Sequence, residues 1–414
     1  MKPPISLSAQ ITLPPAVLAL LARFDAAGIE AYCVGGCVRD ALRGTAPNDW
    51  DLCSAAEPDT TLALFSDCRC LETGRKHGTI TVLWDGAPYE ITTFRRDGAY
   101  EGHRTPKQVS FTPSLAEDCR RRDFTVNAMA YHPVRGLQDF FGGRDDLEQK
   151  RLRCVGCAEE RFSEDALRIL RALRFSAVLD FDIDAETSAA VVSCAPLLCD
   201  ISGERILAEL RKLLCGIRAP SVLSEYARVF SVVIPPLASL PGTERLCVAF
   251  ALCGTVETRL AALLCLCGCT DEEDVRAALS RLPGERALLD AVIRLVQTAS
   301  LPPPIDRAAM RHRMTGETVH QITAQLSLHA ALFPQTADAC DAAAQLCREI
   351  ADRGEVTRIS QLAVTGKDLI ACGIRGKAIG RCLTALLCAV IDGKTENTKP
   401  ALLQYAASIE NTIP

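Results

Sequence analysis

The chain has 414 residues, 51 acidic against 46 basic side chains, a net charge of −5 and 48% hydrophobic residues. This excludes a disordered polyelectrolyte and a general polyanion binder, so a nucleic-acid partner would have to use local basic patches. No apolar run is long and charge-free enough to span a bilayer, and the opening MKPPISLSAQITLPPAV lacks the apolar core of a signal peptide, so a cytoplasmic location and no membrane partner are expected.

Residues 14–28 carry Val17, Leu18, Leu20, Leu21 and Phe24 at near-helical spacing, with Gly28 as a stop. A strand over 30–34 ends in Gly35-Gly36, and a helix over Cys37–Leu42 follows with Arg39 and Asp40. The glycines let a phosphate approach the backbone beside a helix N-terminus, which attracts anions. An extended piece then holds Asp49-Trp50-Asp51. In a strand both carboxylates share a face, and two acids held that close call for a cation between them, Mg²⁺ being suited to oxygen ligands. Gly-Gly alone is usually a turn and Asp-x-Asp alone a solvated loop; it is their strand–turn–helix–strand order that favours metal-assisted phosphoryl or nucleotidyl transfer.

Pro58 opens a short helix through Phe65, and Thr79–Leu83 with Tyr89–Phe94 flank Asp85-Gly86 as a hairpin. Glu90 therefore lies on a strand beside the Asp strand. It is a candidate third catalytic carboxylate, with an ordinary exposed strand glutamate as the equal alternative. Residues 95–107 are polar and apolar-poor, a loop. The run Arg120–Arg122 precedes Asp123 and Asn127 and makes a dense positive spot in an acidic chain.

Phe162–Val178 is predicted as one helix, with Ser163 as N-cap and Glu164 and Asp165 in its first turn. Asp165, Arg168 and Arg171 advance in threes along it and Arg174 continues the row. Spacing alone slightly favours ordinary i,i+3 ion pairs over a site. Beyond residue 180 the pattern is helical: 185–198, 203–215, 220–229, 243–266, 271–281, 284–299 and further segments to the end. Basic patches stand at Arg307–Arg313 and at Gly366–Arg381, where Lys367, Arg375, Lys377 and Arg381 lie among glycines and suit sugar-phosphate contact. The 21 cysteines are scattered through apolar segments as small hydrophobes. Cys154-Val-Gly-Cys157 lacks a second CxxC at zinc spacing, and Cys265, Cys267 and Cys269 lack a nearby histidine, so neither group reads as a zinc site.

The ordered set GGCVRD…NDWDL, EITTFR, EDCRRRDFTVNAMA, the element around Asp139–Leu147 and SEDALRILRALRF resembles the class II nucleotidyltransferases, the tRNA CCA-adding enzymes and bacterial poly(A) polymerases. The likeness covers roughly residues 29–178; the segment LAVTGKDLIACGIRGKAIGRCL is similar to the tail of bacterial CCA-adding enzymes, and about 230–350 matches no motif. The resemblance implies an α+β chain: a nucleotidyltransferase head with a small mixed sheet to residue 150, then an all-α neck (151–215), body (216–345) and tRNA-binding tail (346–414). It implies Asp49 and Asp51 as ligands of Mg²⁺, and Gly35, Gly36 and Arg39 around the triphosphate. Arg121, Arg122, Asp123 and Asn127 would meet phosphate and ribose. Asp165 and Arg168 would read the base, Arg171 and Arg174 would support them, and Lys367, Arg375 and Lys377 would touch RNA.

Cytosine and adenine each offer an amino donor beside a ring-nitrogen acceptor, whereas uracil and guanine reverse the order. One carboxylate and one guanidinium can accept the first two bases and leave the others mispaired, which is costly in a buried site. The expected activity is untemplated addition of C, C and A to a tRNA 3′ end from CTP and ATP. The alternatives are a CC-only enzyme, an A-only enzyme or a poly(A) polymerase, and from another class a catalytically silent RNA-binding module. Intact Asp97, Gly98, Tyr100 and Arg104 in the loop favour addition of all three nucleotides; retention of both Asp49 and Asp51 speaks against the silent module. No histidine has the adjacent aspartate of a metal-hydrolase pair, so no phosphohydrolase activity is expected.

Overall fold

The computed structural model describes residues 11–409 except 99, 102–104, 107–108 and 283–285. Arg104, named above, lies outside the described residues. The chain forms two compact units, one of residues 1–238 with 279–284, the other of 239–278 with 285–414.

The first unit opens with α1 (Pro15–Ala26), which buries Val17, Leu20, Leu21 and Phe24 on one face. Its sheet uses β1 (Ala31–Val34), β2 (Leu52–Ser54), β3 (Arg69–Leu71), β4 (Thr79–Trp84) and β5 (Ala87–Thr93). The short strands β6 (Arg95–Asp97), β7 (Tyr100–Glu101), β8 (Thr105–Pro106) and β9 (Val109–Phe111) follow, then β10 (Met129–His132) and β11 (Gly136–Asp139). Strand order in the seven-stranded sheet is β11-β10-β1-β2-β5-β4-β3. Only the β2–β5 pair is parallel, so the sheet is mixed, as expected. β1 and β10, at the centre, are buried throughout, whereas the edge strand β3 alternates with exposed residues. The predicted hairpin is β4–β5, turning on Asp85 and Gly86.

Helices α2 (Gly36–Leu42), α3 (Pro58–Leu64), α4 (Leu115–Arg120) and α5 (Gly143–Glu148) complete the head. Buried Cys53 and Cys119 pack with Tyr32, Val34 and Phe94, the hydrophobe role expected of the cysteines. Gly143 is forced: a Cβ there would lie 2.2 Å from the Thr125 carbonyl oxygen.

The helix predicted over 162–178 is broken. α6 (Ala158–Glu164) ends at Asp165, whose backbone is extended (φ −136°, ψ 101°), and α7 (Leu167–Leu179) starts afresh. Ser163 is therefore in the last turn of α6 and not an N-cap. Asp165 Oδ1 instead accepts from the Leu167 amide at 3.1 Å, because a short acidic side chain satisfies a free helix-start amide better than a continued turn would. α8 (Ala185–Ser193), α9 (Gly203–Leu214), α10 (Ala219–Glu225) and α11 (Ala227–Ser231) finish the unit.

The second unit is helical among the described residues: α12 (Thr243–Leu252), α13 (Val256–Leu266), α14 (Glu272–Ala278), α15 (Arg286–Thr298), α16 (Arg307–Arg313), α17 (Val319–Leu332), α18 (Ala337–Asp352), α19 (Gly366–Ala371), α20 (Lys377–Ile391) and α21 (Lys399–Ile409). The single helix expected over 243–266 is two, since Thr255 and Thr258 form a reciprocal capping box that starts α13 after Gly254. The expected basic patch on α16 is engaged internally. Arg307 pairs with Glu355, Arg311 donates to the carbonyls of Val356 and Ile391, and Arg313 donates to Gln325. No helix of the described residues is long and apolar enough to cross a membrane.

Candidate active site

The site grows from the turn between β1 and α2. Gly35 has φ +86° and ψ −131°, a backbone that L side chains rarely adopt, and a Cβ there would stand 3.1 Å from Arg122 Nη1. Glycine is thus required for conformation and for close approach alike. α2 starts at once with Gly36.

β2 begins only at Leu52, so Asp49 and Asp51 sit on the extended chain just before the strand and not within it. The ladder still reaches Asp51, whose carbonyl accepts from the Val34 amide at 3.0 Å. Both carboxylates are open to solvent. Asp51 is nonetheless crowded by protein on its other sides, and that partial burial, then Asp49, then Glu90, raise its carboxyl to about 6, with Arg122 opposing. Glu90 is exposed on β5, where Ile91 pairs with Leu52, so it lies across from Asp51. It repels Asp51, yet among the described residues no three acidic, histidine or cysteine side chains are gathered closely enough to cage an ion.

These donors fit a hard divalent cation. They are all carboxylate oxygens, they repel one another, and an exposed pair leaves coordination places for water and phosphate, which is how Mg²⁺ is commonly held. Asp49 and Asp51 would hold it.

The arginine run is sorted by α4. Asp118 is fully buried there and takes Arg121 at 2.8 Å and Arg122 at 3.3 Å, the i,i+3 and i,i+4 neighbours. Burial would raise the Asp118 carboxyl, but the two guanidiniums hold it below the usual range. Burial likewise works against the Arg122 charge, and Asp118 more than offsets it. Arg122 is the one that faces both Gly35 and Asp51.

Arg39 is buried. It grips its neighbour Asp40 with Nε and Nη2 at 2.9 and 2.8 Å, and its Nη1 donates to Asn127 Oδ1 at 2.6 Å. Asn127 Nδ2 donates to Asp123 Oδ1 at 3.2 Å, and Arg171 donates to Asp123 Oδ2. Burial favours the neutral acid at Asp123, but Arg171 overrides it and the carboxyl is lowered to about 2. The chain Asp40–Arg39–Asn127–Asp123–Arg171 therefore couples the glycine turn to α7. Phe175 is packed under it, with Arg39, Arg171 and Arg174 over its ring at 5.3, 5.3 and 3.7 Å.

Asp165 and Arg168 have partners of their own. Arg205, on α9, holds Asp165 at 3.0 Å. Arg168 is tied to Glu164 at 2.6 Å, to the Arg161 carbonyl at 3.1 Å and to the Arg121 carbonyl at 2.9 Å. The last bond places α7 against the segment that carries Arg122. Arg174 pairs with Glu209 of α9, which is buried. Glu164 was read from the sequence only as a helix-start acid, and Asp118, Arg205, Glu209 and Phe175 were not named as site residues. A buried Glu209 on the apolar face of the 203–215 helix, and Asp118 three and four places before two arginines, were the signals available.

All the site residues named so far fall in the first unit. Lys367, Arg375, Lys377 and Arg381 are exposed in the second and make no ion pair with any described residue.

Residues 31–153 match the poly A polymerase head domain, 180–226 the probable RNA and SrmB-binding site of polymerase A, and 254–406 a tRNA nucleotidyltransferase domain 2 family. A CCA-adding enzyme of Streptococcus pyogenes is 52% identical over 197 residues, 48% of each chain; over that match the chain spans about half the relative's length. The CCA-adding enzyme of Geobacillus kaustophilus is 34% identical over 396 residues, covering 94% of this chain and 95% of the relative. The solved CCA-adding enzyme of Bacillus stearothermophilus in complex with CTP superposes with a TM-score of 0.81 at 29% identity, over 97% of this chain and 99% of that one. On sequence and fold together, the chain belongs to the CCA-adding enzymes of the class II nucleotidyltransferase family.

Proposed function

We propose that this protein adds C, C and A in turn to the 3′ end of tRNA, using CTP and ATP and releasing pyrophosphate. The carrying observation is the juxtaposition in one compact unit: the repelling pair Asp49 and Asp51, the Gly35 turn, and the segment Asp165–Arg168 joined to it through the Arg121 carbonyl. The relatives' names and the CTP-bound neighbour support the substrates.

The tRNA 3′-hydroxyl attacks the α-phosphate; an O–P bond forms as the bond to pyrophosphate breaks, and the hydroxyl proton is lost. Mg²⁺ held by Asp49 and Asp51 would supply charge neutralisation and a lowered hydroxyl pKa. The α2 N-terminus with Gly35 and Gly36, and the Arg122 charge beside them, orient the triphosphate. Asn127 and Asp123 fix the Arg39 and Arg171 side chains around the nucleotide. Asp165 accepts from the amino group of C or A and Arg168 donates to the ring nitrogen. Both must first exchange their present partners, Arg205 and Glu164. Catalysis is then positioning and electrostatics.

The head to residue 150 performs the chemistry, the neck (151–215) selects the base, and the body (216–345) and tail (346–414) hold the tRNA, with Lys367, Arg375 and Lys377 on its backbone. The work belongs in the cytoplasm, where tRNA is matured. The test uses purified protein on tRNA ending before CCA, on tRNA ending in CC and on oligo(A), with each NTP alone. CTP on the first and ATP on the second should be incorporated. ATP addition to oligo(A), or CTP addition that never proceeds to A, would select one of the narrower transferases instead.

A further inference from the structure

Phe175 has neighbours that a core phenylalanine does not ordinarily collect. Its ring is 6% exposed, and Phe124 meets it edge-on with the centroids 5.7 Å apart. Three guanidiniums lie over it, Arg39 and Arg171 at 5.3 Å and Arg174 at 3.7 Å. Arg39 comes from α2 and the other two from α7. Each has an acid of its own: Asp40 holds Arg39, Asp123 holds Arg171 and Glu209 holds Arg174. Those acids lie on three separate segments of the chain, and three like charges brought to one place repel one another. The ring is the group the three cations share, and its negative face attracts each of them.

Arg174 shows what this grouping leaves available. Its Nε is spent on Glu209. Its Nη1 and Nη2 make no hydrogen bond to any described residue, and neither is sealed from solvent. Burial disfavours its charge, Glu209 supports it and Arg171 works against it, with the guanidinium left below its ordinary value. A half-enclosed cation with free donors, resting on an aromatic face, is suited to an anionic oxygen. A leucine at 175 would fill much of the same space but would offer no negative face.

We propose that Phe175 is a positioning residue for the phosphates of the incoming nucleotide: its ring gathers Arg39, Arg171 and Arg174 and aims the free Nη groups of Arg174 at a phosphate oxygen. The inference rests on the reading of this site as one for CTP and ATP, and adds to it the phosphate contact of Arg174 and the group that holds the three cations together. Phe175 itself acts only through the guanidiniums.

The test replaces Phe175 in the full chain by mono-, di- and trifluorinated phenylalanine, which keep the shape of the ring and progressively weaken its negative face. The Kd of CTP, read by equilibrium dialysis, should rise step by step to about tenfold in the trifluorinated protein. The Kd of cytidine, which carries no phosphate, should hold. In the Arg174→Gln background the fluorine steps should shrink, because the nearest cation is gone. Phe175→Leu should weaken CTP in the same way, and if that variant does not fold the fluorinated set decides. A Kd for CTP that is flat across the set, or a loss shared equally by CTP and cytidine, overturns the proposal. Failure of the unsubstituted protein to bind CTP is a different result, which sinks the reading of the site itself and this inference with it.

Discussion

Arg171 donates from both Nε and Nη2, at 2.8 and 2.5 Å, to one and the same oxygen of Asp123, 48 positions earlier in the chain. The pair fastens α7 to the head, and Asp123 passes the constraint on through Asn127 to Arg39. Asp123→Asn would leave the Arg171 guanidinium only the more distant Glu209, 3.9 Å away, as counter-charge and should cost about 2 kcal/mol at neutral pH, discounted for the partial exposure of Arg171. Urea unfolding of both proteins measures it. The Asp123 carboxyl is depressed to about 2 in the folded chain, so its contribution is whole above the unfolded-state value of ~4 and disappears as pH falls through 2. The gap between wild type and variant should therefore close between pH 5 and 2; a gap that does not change with pH would deny the ion pair its role.

Asp49→Asn and Asp51→Asn should each lower nucleotide transfer by about a thousandfold or more, read in single-turnover assays. Asp51→Asn should also melt higher than wild type in metal-free buffer at neutral pH. The folded Asp51 carboxyl is raised to about 6, so stability is full when it is protonated and falls as pH rises through that value. Asparagine does not ionise. The advantage should vanish below pH ~4, where the unfolded carboxyl is protonated too. Normal incorporation by either variant would rule out the metal assignment.

Base choice should loosen in Asp165→Ala, with UTP and GTP gaining relative to CTP and ATP. The change should be seen as a ratio of kcat/KM values and not as a uniform loss of rate. Rejection of UTP and GTP at the wild-type ratio would remove Asp165 from the template. Arg205→Met is the companion variant: it frees Asp165 from its resting partner while leaving the acceptor in place, and should keep the C and A preference.

Gly143→Ala should destabilise by about 2–3 kcal/mol or more, because the added methyl would fall 2.2 Å from the Thr125 carbonyl oxygen, which is held by the Ala128 amide. Gly242→Ala is the control, with nothing within 4 Å of its Cβ position and a negative φ. Thermal melts of the two variants should differ clearly.

The elements nearest the reaction were legible because local chemistry decides them. Gly35 needs a backbone only glycine tolerates, Asp85-Gly86 turns a hairpin between β-branched runs, and the continuous burial of β1 follows from its apolar composition. What sequence hid was long-range pairing. Nothing local distinguishes Arg307, clamped by Glu355 across 48 positions, from Lys367, which stays exposed and makes no ion pair among the described residues. The run Arg120–Arg122 was visible, yet only the buried Asp118 decides which guanidinium turns toward Gly35. The break at Asp165 was missed for a different reason: apolar periodicity continues on both sides of it, and only the acid's bond to the next helix's amide stops the first helix.

That break leaves just Asp165 and Ala166 between α6 and α7, with the Asp165 amide and carbonyl and the Ala166 carbonyl all in use. Such a joint has no slack. A protease should find no purchase there, an inserted residue should rotate everything beyond it by about a third of a turn, and any domain motion in the working enzyme has to pivot somewhere else.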